Sequence, residues 1–205
     1  MPAVIAQKTY TAKEYLVLER ASPYKSEFHD GQIYAMTGAS RKHNLVSGNI
    51  YREISLRLKG RPCEAYVNDM RVKVAEARGY HYPDIAVVCG RAELEDEHGD
   101  TLLNPSVLIE VLSPSTESYD RGGKFANYRK IASLREYLLV AQDQPRIERY
   151  LRQGEAWLLT EAEGLEATMR IETIGCALAL REVYDKALDE TDVTQAIDPN
   201  RNSTP

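Results

Sequence analysis

Asp84 and Glu110 are carboxylates placed inside segments that otherwise read as strands buried on both faces. The segments are His81-Tyr82-Pro83-Asp84-Ile85-Ala86-Val87-Val88 and Pro105-Ser106-Val107-Leu108-Ile109-Glu110-Val111-Leu112. An ionised carboxylate withdrawn from water is costly unless a cation or dense hydrogen bonding compensates it. A divalent metal is the strongest such compensation. Neighbouring strands lie about 4.8 Å apart, so acids on two of them can share one ion. Oxygen ligation by Asp and Glu suits Mg²⁺ or Mn²⁺ better than zinc, whose sites favour Cys and His. The chemistry such a pair supports is metal-assisted hydrolysis. Taken singly, each acid also fits a strand-end carboxylate paired with Arg or Lys.

Elements on both sides must position these acids. Thr11 followed by Glu14 is a capping box that starts a short amphipathic helix running to about Arg20, with Pro23 beyond it. Strands over 25–29 and 32–36 flank Asp30-Gly31, a dipeptide suited to a tight hairpin turn. Ser40 can cap a helix in which Val46, Ile50, Ile54 and Leu58 form one apolar stripe, ending near Lys59-Gly60. Residues 63–74, 80–88 and 107–112 read as strands, with an acidic surface loop over 91–104. A helix over 124–131 and a strand over 136–140 imply a right-handed crossover to a parallel neighbour. Residues 147–151 and 156–160 read as a second hairpin, and further strand-like residues follow over 168–174. The expected organisation is one domain over 1–185 and a polar, acidic, disordered tail over 186–205.

Composition limits the function classes. The chain has 205 residues, 43% hydrophobic, and a net charge of −5, which argues against coating nucleic acid by bulk electrostatics. Arg41, Lys42, Arg52, Arg57, Lys59 and Arg61 do cluster around one helix, as a solvated face or as a phosphate-binding surface. No segment approaches the roughly 20 apolar residues of a membrane helix, and residues 1–8 carry no charged leader ahead of an apolar stretch. A cytoplasmic protein with no membrane association is expected. Cys63, Cys89 and Cys176 are odd in number and widely spaced, so reduced, structural cysteines are expected.

Residues 24–36 (Tyr-Lys-Ser-Glu-Phe-His-Asp-Gly-Gln-Ile-Tyr-Ala-Met), His43, Tyr82-Pro83-Asp84, Ile109-Glu110-Val111-Leu112-Ser113-Pro114-Ser115-Thr116, Asp120, Lys124 and Tyr128 together resemble the Uma-two family of restriction-endonuclease-like proteins. That family sits within the PD-(D/E)XK nuclease superfamily. The likeness covers roughly residues 10–160, and the string from Glu110 to Tyr128 is its most specific part. It implies an α/β (α+β) fold: a restriction endonuclease-like core with a mixed central sheet flanked by helices, preceded by the N-terminal helix and hairpin and followed by a C-terminal β extension. It also implies a metal-dependent endonuclease acting on DNA, with Mg²⁺ or Mn²⁺ at Asp84 and Glu110, and a homodimer.

One departure bears on mechanism. The superfamily places a Lys two residues after the Glu, on the same strand face, whereas this chain has Leu112 there. The resemblance implies that Lys124, from the following helix, takes over, positioning the attacking water or stabilising developing charge. Glu27 matches the family's hairpin acid and is either a third catalytic carboxylate or a solvent-facing strand residue. His43 matches the family's His, for contact with substrate phosphate or an active-site carboxylate; hydrogen bonding within its own loop is the competing role. Tyr128 is expected beside Lys124 at the substrate, and Asp120 as a cap of the Lys124 helix. Ser113-Pro114-Ser115-Thr116 could bind an anion through backbone N–H groups near a helix start, but more often such a string is a turn and cap, and Glu53 reads as a partner of Arg52 and Arg57. A function of another class is a nuclease-like module that binds nucleic acid or regulates without turnover.

Overall fold

The computed structural model describes residues 8–74 and 79–188; from residue 189 on, the expected tail lies outside the described residues. Helix α1 (Ala12–Ala21) starts at the capping box, in which Thr11 N donates to Glu14 Oε2 (2.8 Å) and Glu14 N donates to Thr11 Oγ1 (3.2 Å). The hairpin follows as β1 (Ser26–His29) and β2 (Gln32–Ala35). Its turn places Asp30 and Gly31 at φ 46° and 84°, the left-handed region that Asn, Asp and Gly tolerate best. Alternation along β1 sends Phe28 against Tyr15 of α1, with ring centroids 5.1 Å apart, and leaves Glu27 and His29 on the opposite face. Glu27 lies directly opposite Tyr34 in the pairing.

Helix α2 (Arg41–Leu58) is capped by Ser40 Oγ, which accepts from His43 N (3.0 Å). Its stripe of Val46, Ile50, Ile54 and Leu58 is buried, each side chain contributing roughly 1.5–3 kcal/mol of hydrophobic stabilisation. The stripe packs on a six-stranded sheet of order β11-β10-β9-β8-β6-β3. Its members are β3 (Cys63–Val67), β6 (Ile85–Cys89), β8 (Val107–Leu112), β9 (Glu136–Ala141), β10 (Arg146–Gln153) and β11 (Ala156–Glu163). β8 and β9 run parallel, as the crossover requires. The hairpin belongs to a second, five-stranded sheet of order β2-β1-β5-β4-β7, completed by β4 (Arg71–Val74), β5 (Gly79–His81) and β7 (Thr101–Leu102). The pair β12 (Thr168–Ile171) and β13 (Cys176–Ala179), with α5 (Leu180–Val183), closes the α2 side of the core, which reaches as far as the buried Ala187.

Two runs expected as single strands are each divided between the two sheets. Residues 63–74 break after Val67, where Asn68 adopts φ 61°. Residues 80–88 break at Tyr82-Pro83-Asp84, where proline removes a ladder donor and fixes its own φ. The acidic loop is also not wholly surface, since Thr101–Leu102 is buried and pairs in parallel with β4.

The expected helix over 124–131 starts earlier and is interrupted: α3 (Glu117–Tyr119) leads into a wide π-type turn over Asp120–Lys124 and then α4 (Phe125–Tyr128). Gly123 permits this path, because a Cβ there would meet the Tyr119 ring at 2.9 Å. α4 covers the other face of the six-stranded sheet. There Phe125 stacks on Tyr137 (5.1 Å) and meets Tyr150 (4.5 Å) and the edge of Trp157 (5.4 Å).

The cysteine expectation is corrected. Cys63 and Cys89 are directly opposed in the antiparallel β3–β6 pair, with Cα atoms 4.0 Å apart, and form a disulfide; Cys176 is free and buried. Strand pairing, invisible in the spacing of the cysteines, brings them together. No helix among the described residues is long and apolar enough to cross a membrane.

Candidate active site

The acids meet where the chain passes from one sheet to the other. β6 pairs antiparallel with β8, Ile85 opposite Ile109, so one further step of that register sets Asp84 opposite Glu110. The ladder ends there because the Asp84 side chain takes over: its Oδ2 accepts from Val111 N at 2.7 Å, while its carbonyl accepts from Asn68 N at 2.9 Å. His43 Nε2 approaches the same Oδ2 at 3.3 Å from the first turn of α2. Asp84 retains 16% side-chain exposure. It therefore has a rigid inner side and an open outer one.

Glu110 shares its strand face with Leu108 and Leu112, which pack in the α4-side core. Tyr128 donates to Glu110 Oε1 at 3.0 Å, and Lys124 Nζ reaches the same oxygen at 3.0 Å. The ammonium also lies 3.1 Å from Glu27 Oε1 and 3.6 Å from Asp120 Oδ1. Leu112 is buried beside Phe125, and the cation reaches the Glu from the helical segment instead. The structure thus brings Asp84, Glu110, Lys124, Glu27 and His43 into one connected group. Tyr128, expected at the substrate, is wholly buried behind Glu110 and orients that carboxylate. Asp120 does not cap the Lys124 helix: it lies within the helical run, buried, one turn before Lys124 and paired with it.

His81 is a member that sequence reading missed. β1 and β5 pair Phe28 with Tyr80, so the next step sets Glu27 opposite His81. The imidazole Nδ1 lies 3.3 Å from Glu27 Oε2, and Tyr82 N donates to Glu27 Oε1 at 3.0 Å. His81 is fully buried, and its Nε2 has no hydrogen-bond partner among the described residues. The nearest sequence signal was its place three residues before Asp84, which without the pairing carries no chemistry. Behind it, Tyr82 donates to Glu19 Oε1 (2.9 Å) and accepts from Arg71 (3.1 Å), and Arg71 pairs with Asp100 (2.5 Å). This network fixes the chain entering Pro83-Asp84.

Electrostatics divide the group. Burial pushes the Glu110 carboxyl well up, opposed by Lys124 and reinforced by Asp120, Asp84 and Glu27. Burial likewise raises Asp120. Burial alone would lower the Lys124 ammonium, but Glu110, Glu27 and Asp120 overcome it and hold it well above the usual lysine range. Burial would raise Glu27, yet Lys124 and His81 hold it down to about 2. His43 is raised because Asp84 outweighs its burial, and burial lowers His81.

A stability consequence follows for Glu27. A carboxyl depressed from 4.5 to about 2 contributes about 3 kcal/mol to folding above its unfolded value, and this is lost as pH falls from 4.5 towards 2. In denaturant unfolding, Glu27→Gln should be less stable than wild type at pH 7, and the gap should narrow through pH 3 and close only near pH 2; a gap independent of pH would remove the ion pair as its cause.

The donor set fits a hard divalent ion. Mg²⁺ is ordinarily held by one or two carboxylates, with water and substrate oxygens completing the shell, a number that Asp84 and Glu110 could supply. Among the described residues, no three His, Cys, Asp or Glu side chains gather to hold a metal by themselves, so a closed zinc site does not fit. Three carboxylates paired to one ammonium, with Asp84 held by His43 and Glu27 by His81, leave an acidic excess that suits a further cation.

Comparison with known proteins gives consistent matches. A family model described as "Uma2: Putative restriction endonuclease" matches residues 12–181. Two proteins of Synechocystis sp. are similar over most of the chain. "Uncharacterized protein sll1609" is 40% identical over 168 residues, covering 82% of this chain and 95% of its own length. "Uncharacterized protein slr1290" is 34% identical over 173 residues, covering 84% and 90%. A crystal structure from Anabaena variabilis, described as "a putative nuclease belonging to DUF820", superposes with a TM-score of 0.72 over 87% of this chain and 99% of its own; at 19% identity this speaks for the fold alone.

Proposed function

Because the chain belongs to the Uma2 restriction-endonuclease-like family, we propose that it is a metal-dependent endonuclease hydrolysing DNA phosphodiester bonds at Asp84, Glu110 and Lys124. The observation that carries this reading is the Lys124 ammonium, delivered from a helical segment to within 3.0 Å of a buried strand carboxylate, next to a second carboxylate at a strand start.

Asp84 and Glu110 would hold Mg²⁺ or Mn²⁺, which when bound supplies Lewis-acid activation. The chain's own groups do the rest. Val111 N and His43 hold the Asp84 carboxylate from within, leaving its outer side free. Tyr128 fixes the rotamer of Glu110. Lys124, charged and buried, places a donor where negative charge develops on the phosphate or on attacking water, in a dry setting where such a donor is worth most. Glu27 fixes the ammonium from the second sheet and is itself held by His81 and Tyr82.

The test is incubation of supercoiled plasmid and single-stranded DNA with the full chain in Mg²⁺ or Mn²⁺, beside the Asp84→Asn variant. Wild type is expected to nick or linearise in a metal-dependent way, and Asp84→Asn to be inactive while melting normally. Equal cutting by both would reject the reading, and binding without any cutting would reassign the chain to a nuclease-like binding module.

A further inference from the structure

Two half-exposed tyrosines stand beside members of the acid group. Tyr34, 55% exposed, lies directly opposite Glu27 in the β1–β2 register, so both project from the same face of the hairpin. Met36, 36% exposed, continues that face, its N–H donating to Lys25 O. Tyr119, 38% exposed, is contributed by α3. Its ring lies against Gly123, beside Lys124, with its centroid 6.5 Å from that of His81. Burial, then the charge of Glu27, pushes the Tyr119 phenol up to about 12, with Tyr34 among the groups acting on it. Tyr119 is therefore a neutral aromatic face at neutral pH. Scattered exposed aromatics are ordinary on a surface, but one of these comes from the hairpin and the other from α3, and each borders a member of the acid group.

The setting needs such contacts. A chain of net charge −5, with three carboxylates paired to its buried lysine, does not draw in a polyanion through a long-range field. Stacking on base faces provides affinity that charge does not, and only unpaired bases offer their faces. We propose that Tyr34 and Tyr119 form a stacking platform at the mouth of the site, and that its substrate is a nucleic-acid strand carrying an unpaired segment; this deepens, and rests on, the nuclease reading.

The experiment uses the full wild-type chain in chelator, so that nothing is cut. It measures fluorescence anisotropy with a labelled 20-nucleotide DNA strand, the RNA strand of the same sequence and the DNA duplex. The unpaired strand should bind roughly tenfold or more tighter than the duplex, with a shallow salt dependence. Tyr34→Ala and Tyr119→Ala should each weaken strand binding roughly tenfold and leave duplex binding alone, whereas Tyr34→Phe and Tyr119→Phe should keep it, since stacking needs the ring and not the hydroxyl. The DNA and RNA arms separate the two sources of unpaired strand. Equal affinity for strand and duplex, or Ala variants that bind like wild type, would overturn the platform. Strand binding that depends on the tyrosines, with no metal-dependent cutting, would sustain the platform and sink the nuclease reading. Duplex cutting untouched by the Ala variants would do the reverse.

Discussion

Lys124→Met is expected to cut metal-dependent DNA cleavage by about 10²- to 10³-fold, the loss seen when one preorganised charge-stabilising donor is removed, while the chain still folds. The variant carries a second signature. In wild type the ammonium is shared by Glu110, Glu27 and Asp120, and methionine fills the same volume without charge. Three carboxylates then face one another in a buried setting, which should cost about 1–3 kcal/mol of stability at neutral pH. That cost should shrink as pH falls and the acids take up protons. Plasmid nicking and denaturant unfolding at pH 7 and pH 5 check both parts; full activity in the variant would remove Lys124 from the mechanism.

Glu110→Gln should abolish cleavage to a similar extent, on the order of 10²- to 10³-fold if the ion is lost with its ligand, but with little effect on stability. The carboxyl of Glu110 is completely buried, and its environment already disfavours the charged form. A glutamine oxygen still accepts from Tyr128, and Lys124 keeps Glu27 and Asp120. Stability should therefore stay within about 1 kcal/mol of wild type, since the burial that disfavours the Glu110 charge offsets what its pairing with Lys124 returns. A readout independent of activity is thermal: Mg²⁺ should raise the melting midpoint of wild type by ligand linkage and leave that of Glu110→Gln unmoved. An equal shift in both proteins would take Glu110 out of the metal site.

How far the sequence carried the site depended on the range of the interactions. Asp84 and Glu110 were visible because a charge within an apolar run is a local conflict that the one-dimensional pattern exposes. The α2 stripe, both caps and the Asp30-Gly31 turn were legible for the same reason, each being decided within one or two turns of chain. Lys124 was reached only through family resemblance, since nothing in its own segment says that it points at β8. His81 and the Cys63–Cys89 bridge were missed altogether, because each depends on which strand lies opposite. The breaks at Asn68 and Pro83 were hidden by continuous apolar patterning, although the residues that cause them were in plain view. Asp120 was misplaced because two glycines after an acid imitate a helix start, whereas the structure threads them through a widened turn.

The aromatic stack beneath α4 has a practical consequence. Trp157 is the only tryptophan in the sequence, and its ring meets Phe125, the residue next to Lys124, edge-on at 5.4 Å, with the Arg152 guanidinium 4.7 Å from its centroid. Ultraviolet-excited emission from that lone indole therefore registers the seating of the helical segment that carries the ammonium. Metal or oligonucleotide titrations can be followed optically on the native chain, without a dye or an introduced label.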